Sequence, residues 1–443
     1  MLSSPDSGID INDDFKACIQ EMENSQNPCL FITGKAGTGK STLLQYWRKK
    51  TSKNIVVLAP TGIAALNVEG QTIHSFFGFP PRPLKKEELN IRRNRRIFQS
   101  LDAIVIDEIS MVRADMIEQI DFFLRINRNN PDAFGGVQMI FFGDLFQLPP
   151  VIASVEEKLL FQQQYASPYF FSAQVFKQEL DILMIELRQV YRQENRRFIR
   201  LLDAIRLRRI DYDEFNEINE RYVEDFKEDE FFVTLSARNA EVDAINRDKL
   251  AALSAESFSF IAQVSGTVHA LPAETPLVLK KGAQVMFLKN DPMKRYVNGT
   301  VGCISFLSQD CIKVQILNNR GSLEEIDVER FAWDVVKHSI NEKQEINTQK
   351  IGKFEQYPLR LAWAMTIHKS QGKTFERVII DMGKGAFEYG QTYVALSRCK
   401  TLEGIVLKRP LKPQDIMVDE RIVDFYQQHL RYLSFVELKF FCF

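Results

Sequence analysis

The run GKAGTGKST, Gly34 to Thr42, packs three glycines, two lysines and three hydroxyl side chains into nine residues. Its spacing, G-x-x-x-x-G-K-[S/T], is met by Gly34, Gly39, Lys40 and Ser41. Glycines let backbone N–H groups curl around phosphates, the lysine reaches the β and γ oxygens, and the following hydroxyl can ligate Mg²⁺. Lys35, Ala36, Gly37, Thr38 and Thr42 complete the cradle. A flexible turn is the plainer alternative. The flanks decide between them: the apolar run Cys29 to Ile32 precedes the motif, and the helical pattern STLLQYWRKK follows it. Strand, glycine loop and helix in that order imply a nucleoside triphosphate site.

Further stretches carry groups that would act on such a ligand. AIVIDEIS, Ala103 to Ser110, is an apolar strand ending in two adjacent carboxylates. Successive strand side chains point to opposite faces, so Asp107 and Glu108 cannot share one task. Asp107 suits Mg²⁺ and Glu108 suits polarising the attacking water. A solvated strand end is the alternative for an isolated Asp-Glu pair, and the preceding phosphate motif weighs against it. In FFGDLFQLPPV, Phe141 to Val151, Gln147 is an uncharged amide that would sense a γ-phosphate or orient a water. A polar loop residue is an equal reading there. Pro149 and Pro150 stiffen the loop.

In APTGIAALNVEGQTIHSFFGF, Ala59 to Phe79, Thr61 and Gly62 stand where a helix should begin. Their N–H groups would hold a phosphate of a polymer. His74, Phe76, Phe77 and Phe79 interleave aromatics with a polar group, either as a base-stacking platform or, more plainly, as core. ELRQVYRQ, TIHKSQGKTF and YVALSRCK lie farther along the chain. Arg192 and Arg398 within them would reach across a cleft and spread transition-state charge, with surface ion pairs as the alternative.

The elements that must position these groups read as α/β. A chain of 443 residues suggests about two or three domains. CLFIT, NIVVLA, AIVID and VQMIFFG are candidate strands of a parallel sheet, each ending in a functional loop. A second α/β stretch starts near FFVTLSARNAEVDAINRDKL and resumes at PLRLAWAMTIHKSQG. Between them PLVLKKGAQVMFL, VNGTVGCISFL, CIKVQIL and IDVERFAWDVV predict a small β-barrel over roughly 255–355. The ending LSFVELKFFCF is either a docking strand or an artefact.

Composition excludes little. Lys and Arg total 57 against 58 Asp and Glu, so no global basic signature marks a protein that coats nucleic acid by charge alone. A narrow basic track remains open. IRRNRR, Ile91 to Arg96, is the strongest positive run and IRLRRI, Ile205 to Ile210, the second; each is a solvated helix face or a binding stripe. The six cysteines are scattered without zinc spacing, which suits reduced thiols and an intracellular compartment. No apolar run is long enough to span a membrane, and MLSSPDSGID lacks the marks of a signal peptide.

Taken in order from Phe31 to Leu407, these motifs resemble the petite-integration-frequency (PIF-type) DNA helicases of superfamily one, B type. ISMVRADMIEQIDFFLR resembles that family's own signature and favours it over RecD-type and Dda-type enzymes. The resemblance implies two RecA-like domains, 1–185 and 186–254 with 356–431, a wedge near 75–100, and a Src-homology-three-like barrel inserted at 255–355. The tail 432–443 has no assigned role. It implies ATP and Mg²⁺ as cofactors and 5′→3′ movement on single-stranded DNA. It implies unwinding of tailed or forked duplexes and of G-quadruplexes, and roles in repair, recombination and telomere-type maintenance. A monomeric protein, cytoplasmic if bacterial and nuclear or mitochondrial if eukaryotic, is expected. The short chain is more similar to bacterial or viral members than to nuclear ones.

By motif match, Lys40 and Ser41 hold phosphate and Mg²⁺, Asp107 the Mg²⁺, Glu108 the water, and Gln147, Arg192 and Arg398 the γ-phosphate. Gln371 and Gly372 lie at the cleft, while Thr61, Gly62, His74, Phe76, Thr366 and His368 contact DNA. One departure is the adenine-reading glutamine that the family often carries upstream of the phosphate loop: none stands near Phe15 to Ala17, and Gln20 is out of register. A RecD-like recombination motor and a non-motor ATP-gated DNA clamp are the alternatives; DNA-stimulated ATP turnover separates motor from clamp.

Overall fold

The computed structural model describes residues 11–430 apart from Ser25, 81–85, 153–154, 227–230, 269–270, Pro292, Lys294, 318–320 and 341–345. The tail 432–443 and part of the expected wedge lie outside the described residues.

The apolar runs near the phosphate motif form a six-stranded parallel sheet. Its strands are β1 (Cys29–Gly34), β2 (Ile55–Ala59), β3 (Gln71–Thr72), β4 (Ala103–Ile106), β5 (Gln138–Phe142) and β6 (Leu183–Leu187), in the order β3-β2-β4-β5-β1-β6. Four of these are the strands expected from sequence; β3 and β6 are additions at the two edges. Strand alternation divides the side chains between two faces. Leu30 and Ile32 point to the helices Asp13–Glu23 and Lys40–Arg48, where Cys18, Leu43 and Trp47 meet them. Phe31 points the other way, into a core shared with Ile117, Ile120 and Phe123 of the helix Ala114–Arg128.

The second parallel sheet is built from segments on both sides of a long insertion. It begins with β7 (Val233–Ser236). The insertion follows as β8 (Ser257–Phe260), β9 (Gln263–Gly266), β10 (Leu277–Lys280), β11 (Gln284–Phe287), β12 (Val301–Leu307), β13 (Ile312–Leu317), β14 (Leu323–Val328), β15 (Phe331–Ile340), β16 (Ile346–Gln356) and β17 (Leu359–Leu361). The chain then returns as β18 (Ala364–Thr366), β19 (Val378–Asp381) and β20 (Ile405–Leu407), giving the parallel order β18-β7-β19-β20. Val233, Leu235, Ile380 and Val394 join the same apolar core as Phe31, so the two parallel sheets share one continuous interior.

The inserted strands are all antiparallel, in the orders β14-β13-β12-β11-β17, β10-β8 and β15-β16-β9. The first two sheets face one core containing Phe260, Leu277, Val285, Ile304 and Val314. PLVLKKGAQVMFL, expected as one strand, is two: it breaks at Gly282, whose φ of 86° needs no side chain, and its halves enter different sheets. IDVERFAWDVV likewise divides between β14 and β15. The hairpin of β15 and β16 reaches the first sheet, where the backbone N–H of His338 donates to Gln71 Oε1 at 3.0 Å. All five cysteines among the described residues are free thiols. No helix of the described residues is long and apolar enough to cross a membrane.

Candidate nucleotide site and nucleic-acid face

The phosphate loop connects β1 to the helix Lys40–Arg48, as its spacing predicts. Gly37 and Gly39 hold φ of 87° and 84°, a region that L side chains rarely adopt. A Cβ on Gly37 would stand 2.4 Å from the Cβ of Arg192, so the approach of Arg192 itself requires glycine there. Lys40 turns its ammonium inward, donating to the carbonyls of Gly34 and Lys35. Burial lowers its pKa, against the charges of Asp144 and Glu108, which raise it. Thr38 is buried and closes the loop by donating to Lys35 O at 2.9 Å. Lys35 points elsewhere, into an ion pair with Asp203 of the helix Arg196–Arg206.

A cavity of about 500 Å³ opens over this loop. Ala36 to Thr42 form its floor; Glu108 and Gln147 come from the first sheet, and Gly372, Thr374, Arg398 and Lys400 from the second. Asp107 and Glu108 follow β4. Glu108 sits in the left-handed region at φ 51°, an uncommon and strained state for a side-chain-bearing residue, and it reaches the cavity wall. Asp107 is buried beside it. Burial and the Glu108 charge push the Asp107 carboxyl up to about 7. The Asp107 carboxyl and the Ser41 hydroxyl are hard oxygen donors, which fit Mg²⁺. Among the described residues no group of three or more His, Cys, Asp or Glu could hold a metal ion. A cation here would therefore draw the rest of its ligands from phosphate and water.

The second sheet meets the first at this cavity. Gln371 Nε2 donates to Gln147 Oε1 at 3.1 Å. Gly372, at φ 77°, follows on the wall. Arg398 is buried, held by Val394 O at 3.0 Å and Ser397 Oγ at 2.8 Å. Arg192 Nη1 donates to Ser397 O at 3.2 Å. Among the described residues neither arginine forms a carboxylate ion pair, so the surface-ion-pair alternative does not describe them. Lys40, Ser41, Glu108, Gln147, Arg192, Arg398 and Gly372 thus converge on one cavity, while Asp107 and Gln371 lie just behind its wall.

The residues expected on a polymer face are distributed differently. Thr61 caps the helix Gly62–Asn67 after β2, its Oγ1 accepting from Ala64 N at 3.2 Å. Thr366 caps the helix Ile367–Ser370 after β18 in the same way, accepting from Lys369 N at 3.3 Å. Each threonine thus caps a short helix at the carboxyl end of a parallel strand, one in each sheet. His368 lies 3.0 Å from Glu388. His74 is half-buried, which lowers its pKa. Two of the four residues of the stacking reading are packed inside. Phe77 and Phe79 are buried, and Phe76 stands edge-on to Phe77 and Phe98 with centroids 5.0 and 5.5 Å apart. The plainer core reading accounts for Phe77 and Phe79, while Phe76 is only partly buried.

Comparison with known proteins places this geometry. The model for the PIF1-like helicase family matches residues 10–215. The ATP-dependent DNA helicase Pif1 of Bdellovibrio bacteriovorus is 30% identical, over 95% of this chain and 92% of that protein. The chain belongs to the PIF1-like helicase family. It is 31% identical to the ATP-dependent DNA helicase PIF1 of Emericella nidulans, over 90% of this chain but only 60% of the fungal protein. It thus spans about three-fifths of that relative's length. The crystal structure of a Bacteroides Pif1 in complex with ADP-AlF4 superposes with a TM-score of 0.88 at 36% identity, covering 95% of this chain and 97% of that one. The same Bacteroides protein bound to ssDNA superposes at 0.68.

Three residues of this PIF1-like helicase gather at the site without having been singled out in its motifs. Asp144, fully buried, accepts from Arg206 Nη2 and from Tyr393 Oη, each at 3.2 Å. Arg206 comes from the basic run IRLRRI, yet it is neither a solvated face nor a binding stripe. It is 4% exposed and its guanidinium lies 4.3 Å over the Phe146 ring. The signal was in the spacing: Phe198, Leu201, Leu202 and Ile205 mark the buried stripe of that helix, and Arg206 falls on it, one turn after Leu202.

Proposed function

We propose that this PIF1-like helicase is an ATP-driven motor that moves 5′→3′ on single-stranded DNA and separates the duplex ahead of it. One observation carries the reading. A single cavity takes its phosphate-binding floor from one parallel sheet and Arg398 from the other, with Arg192 packed on the phosphate loop and bonded across to Ser397 O, so filling it with a triphosphate would draw the two sheets together. The names of the relatives support ATP and DNA as substrates, and the structures of a Bacteroides Pif1 bound to ssDNA and of two Pif1 helicases at forked dsDNA support a single strand and a fork as the DNA bound.

In this reading residues 1–185 form the first motor domain with a wedge near 75–100. Residues 186–254 and 356–431 form the second, and 255–355 an inserted Src-homology-three-like barrel. Lys40 and the loop amides from Gly34 to Thr42 bind the β- and γ-phosphates, and Glu108 takes a proton from the attacking water. Gln147 orients that water, and Arg192 and Arg398 meet the charge that develops on the transferred phosphoryl group. Ser41 and Asp107 would hold Mg²⁺, which when bound neutralises phosphate charge. Thr61 with Gly62 and Thr366 with His368 grip the strand on the two domains, and alternate grip and release converts closure into movement. The 5′→3′ direction, G-quadruplex unwinding, repair, recombination and telomere-type roles follow from family likeness, as do a monomeric state and an intracellular location.

The deciding experiment compares 5′-tailed, 3′-tailed and quadruplex-bearing substrates in an ATP-dependent strand-displacement assay, with ATP hydrolysis measured with and without single-stranded DNA. Unwinding from the 5′ tail and stimulated hydrolysis are expected. Efficient unwinding from 3′ tails refutes the direction, and hydrolysis indifferent to DNA refutes the motor.

A further inference from the structure

Tyr393 never reaches the nucleotide cavity, yet its hydroxyl ties together the two loops that build it. The phenol is 3% exposed and sits on the helix Gln391–Leu396 of the second sheet. Its oxygen accepts the backbone N–H of Ala36 at 3.0 Å, inside the phosphate loop. It donates to Asp144 Oδ2 at 3.2 Å, in the loop that carries Gln147. Asp144 is gripped on its other oxygen by Arg206 Nη2 at 3.2 Å, and its backbone carbonyl accepts Gln147 N at 3.0 Å. The same helix presses on that loop at its start: a Cβ on Gly390 would stand 2.3 Å from Phe146 O and 2.5 Å from Gln147 O. The start of the helix and the loop are therefore in direct backbone contact.

We propose that Tyr393 is a positioning residue: through Ala36 and Asp144 it sets the phosphate loop and Gln147 in their reactive arrangement, so that the second parallel sheet governs hydrolysis from outside the cavity. The inference rests on the ATP-driven motor reading above. Its physical basis is that a hydroxyl buried between two polar partners fixes both at once. Its loss leaves Ala36 N–H short of a partner and Asp144 Oδ2 with only the long 3.5 Å contact from Gln147 Nε2, and it removes the one group bonded to both loops at once. Displacement of a catalytic group by about 1 Å can cost about a hundredfold in rate. Because Tyr393 does not touch the ligand, the loss should fall on turnover and leave ground-state binding in place.

The test is Tyr393→Phe, which removes one oxygen and keeps the ring. At saturating ATP and single-stranded DNA its kcat should fall at least tenfold. Affinity for a fluorescent ATP analogue should stay within threefold, and the thermal midpoint within a few degrees of wild type. Asp144→Asn should show the same pattern, and the double variant should be no slower than the slower single variant, because the two groups act as one unit. A purely structural tyrosine would lower the midpoint and leave the kcat of the folded protein intact. A loss under tenfold in Tyr393→Phe, or multiplicative losses in the double variant, overturns the inference alone. Wild-type protein without DNA-stimulated hydrolysis overturns the motor reading and this inference with it.

Discussion

Arg192 donates from Nη1 to the carbonyl of Ser397 at 3.2 Å, which sets it beside Arg398 on the wall of the nucleotide cavity. A buried and a half-buried guanidinium group side by side, without a carboxylate ion pair among the described residues, are electrostatically costly. Burial, and then the Arg398 charge, pull Arg192 down to about 9. A polyanion between them and Lys40 would offset that cost, and the phosphate loop is where it would lie.

Replacing either arginine by lysine keeps a cation but removes the planar fork that matches phosphoryl oxygens. A finger contact contributes roughly 10³–10⁵ in rate in related phosphoryl transfers. DNA-stimulated hydrolysis should therefore fall by orders of magnitude in Arg192→Lys and in Arg398→Lys. DNA binding without nucleotide should persist, as fluorescence anisotropy with an oligonucleotide would report. A loss of less than tenfold would make that arginine a structural cation.

Lys40 and Glu108 should fail in different ways. Lys40 holds the loop by its bonds to Gly34 and Lys35 and is assigned to phosphate in the ground state, so Lys40→Ala should lose both ATP affinity and turnover. Glu108 is assigned to the water, so Glu108→Gln should keep affinity within a few-fold and lose turnover. Equilibrium binding of a fluorescent nucleotide beside steady-state rates separates the two. Equal collapse of affinity in both variants would contradict the division of roles.

The phosphate loop, four of the six strands of the first sheet and the β-rich insertion could be read from sequence, because each is written in local spacing: glycines at fixed intervals, apolar runs, turn residues. The residues that converge on the cavity were likewise carried by motifs. What a count of charges in a run could not disclose is which side of a helix a long polar side chain takes. Arg206 was read with its basic neighbours, and only its register with Phe198, Leu201 and Leu202 would have turned it inward. Tyr393 and Asp144 sat inside recognised motifs, but their meeting depends on two elements 249 residues apart in the chain. The phenylalanines after Thr61 left two readings open, since aromatic content next to a polar group describes a stacking surface and a core equally well, and the burial of Phe77 and Phe79 fits the plainer one.

His338 gives the contact between the inserted hairpin and the first sheet a pH dependence. Burial, with the Arg48 charge acting the same way, lowers its imidazole to about 4, and its ring lies 6.1 Å from that of Phe76. The folded protein thus keeps it neutral while the unfolded chain protonates it as pH falls below about 6.5. Between those values the unfolded chain binds more protons, so this contribution is whole above about pH 6.5 and is lost on descent to about pH 4. From pH 6.5 to pH 5 the loss should be about 2 kcal/mol. Urea unfolding of wild type and His338→Leu at pH 7 and pH 5 checks it: wild type should lose more stability than the variant. Equal losses would mean that the imidazole is not held neutral.

The run IRRNRR divides into one structural arginine and an exposed cluster. Arg92, though exposed, is tied down: its Nη2 donates to Phe77 O at 2.8 Å, and its backbone N–H donates to Asn127 Oδ1 at 2.8 Å. Arg93, Arg95 and Arg96 are exposed, and among the described residues they form no ion pair. They are mounted on a rigid base, because Ile97 and Phe98 next to them are buried and Phe98 packs on Phe123 with centroids 4.9 Å apart. If this cluster is the wedge's hold on the duplex arm of a fork, it contributes phosphate contacts that a short single strand cannot supply. Each such contact on duplex DNA steepens the dependence of log K on log salt by about 0.9. Substituting all three by alanine should therefore flatten the slope for a 5′-tailed duplex by roughly 2 to 3 units and leave the slope for an oligonucleotide unchanged. Equal flattening on both ligands would put the cluster on the single-strand track. No change on either would return it to a solvated face.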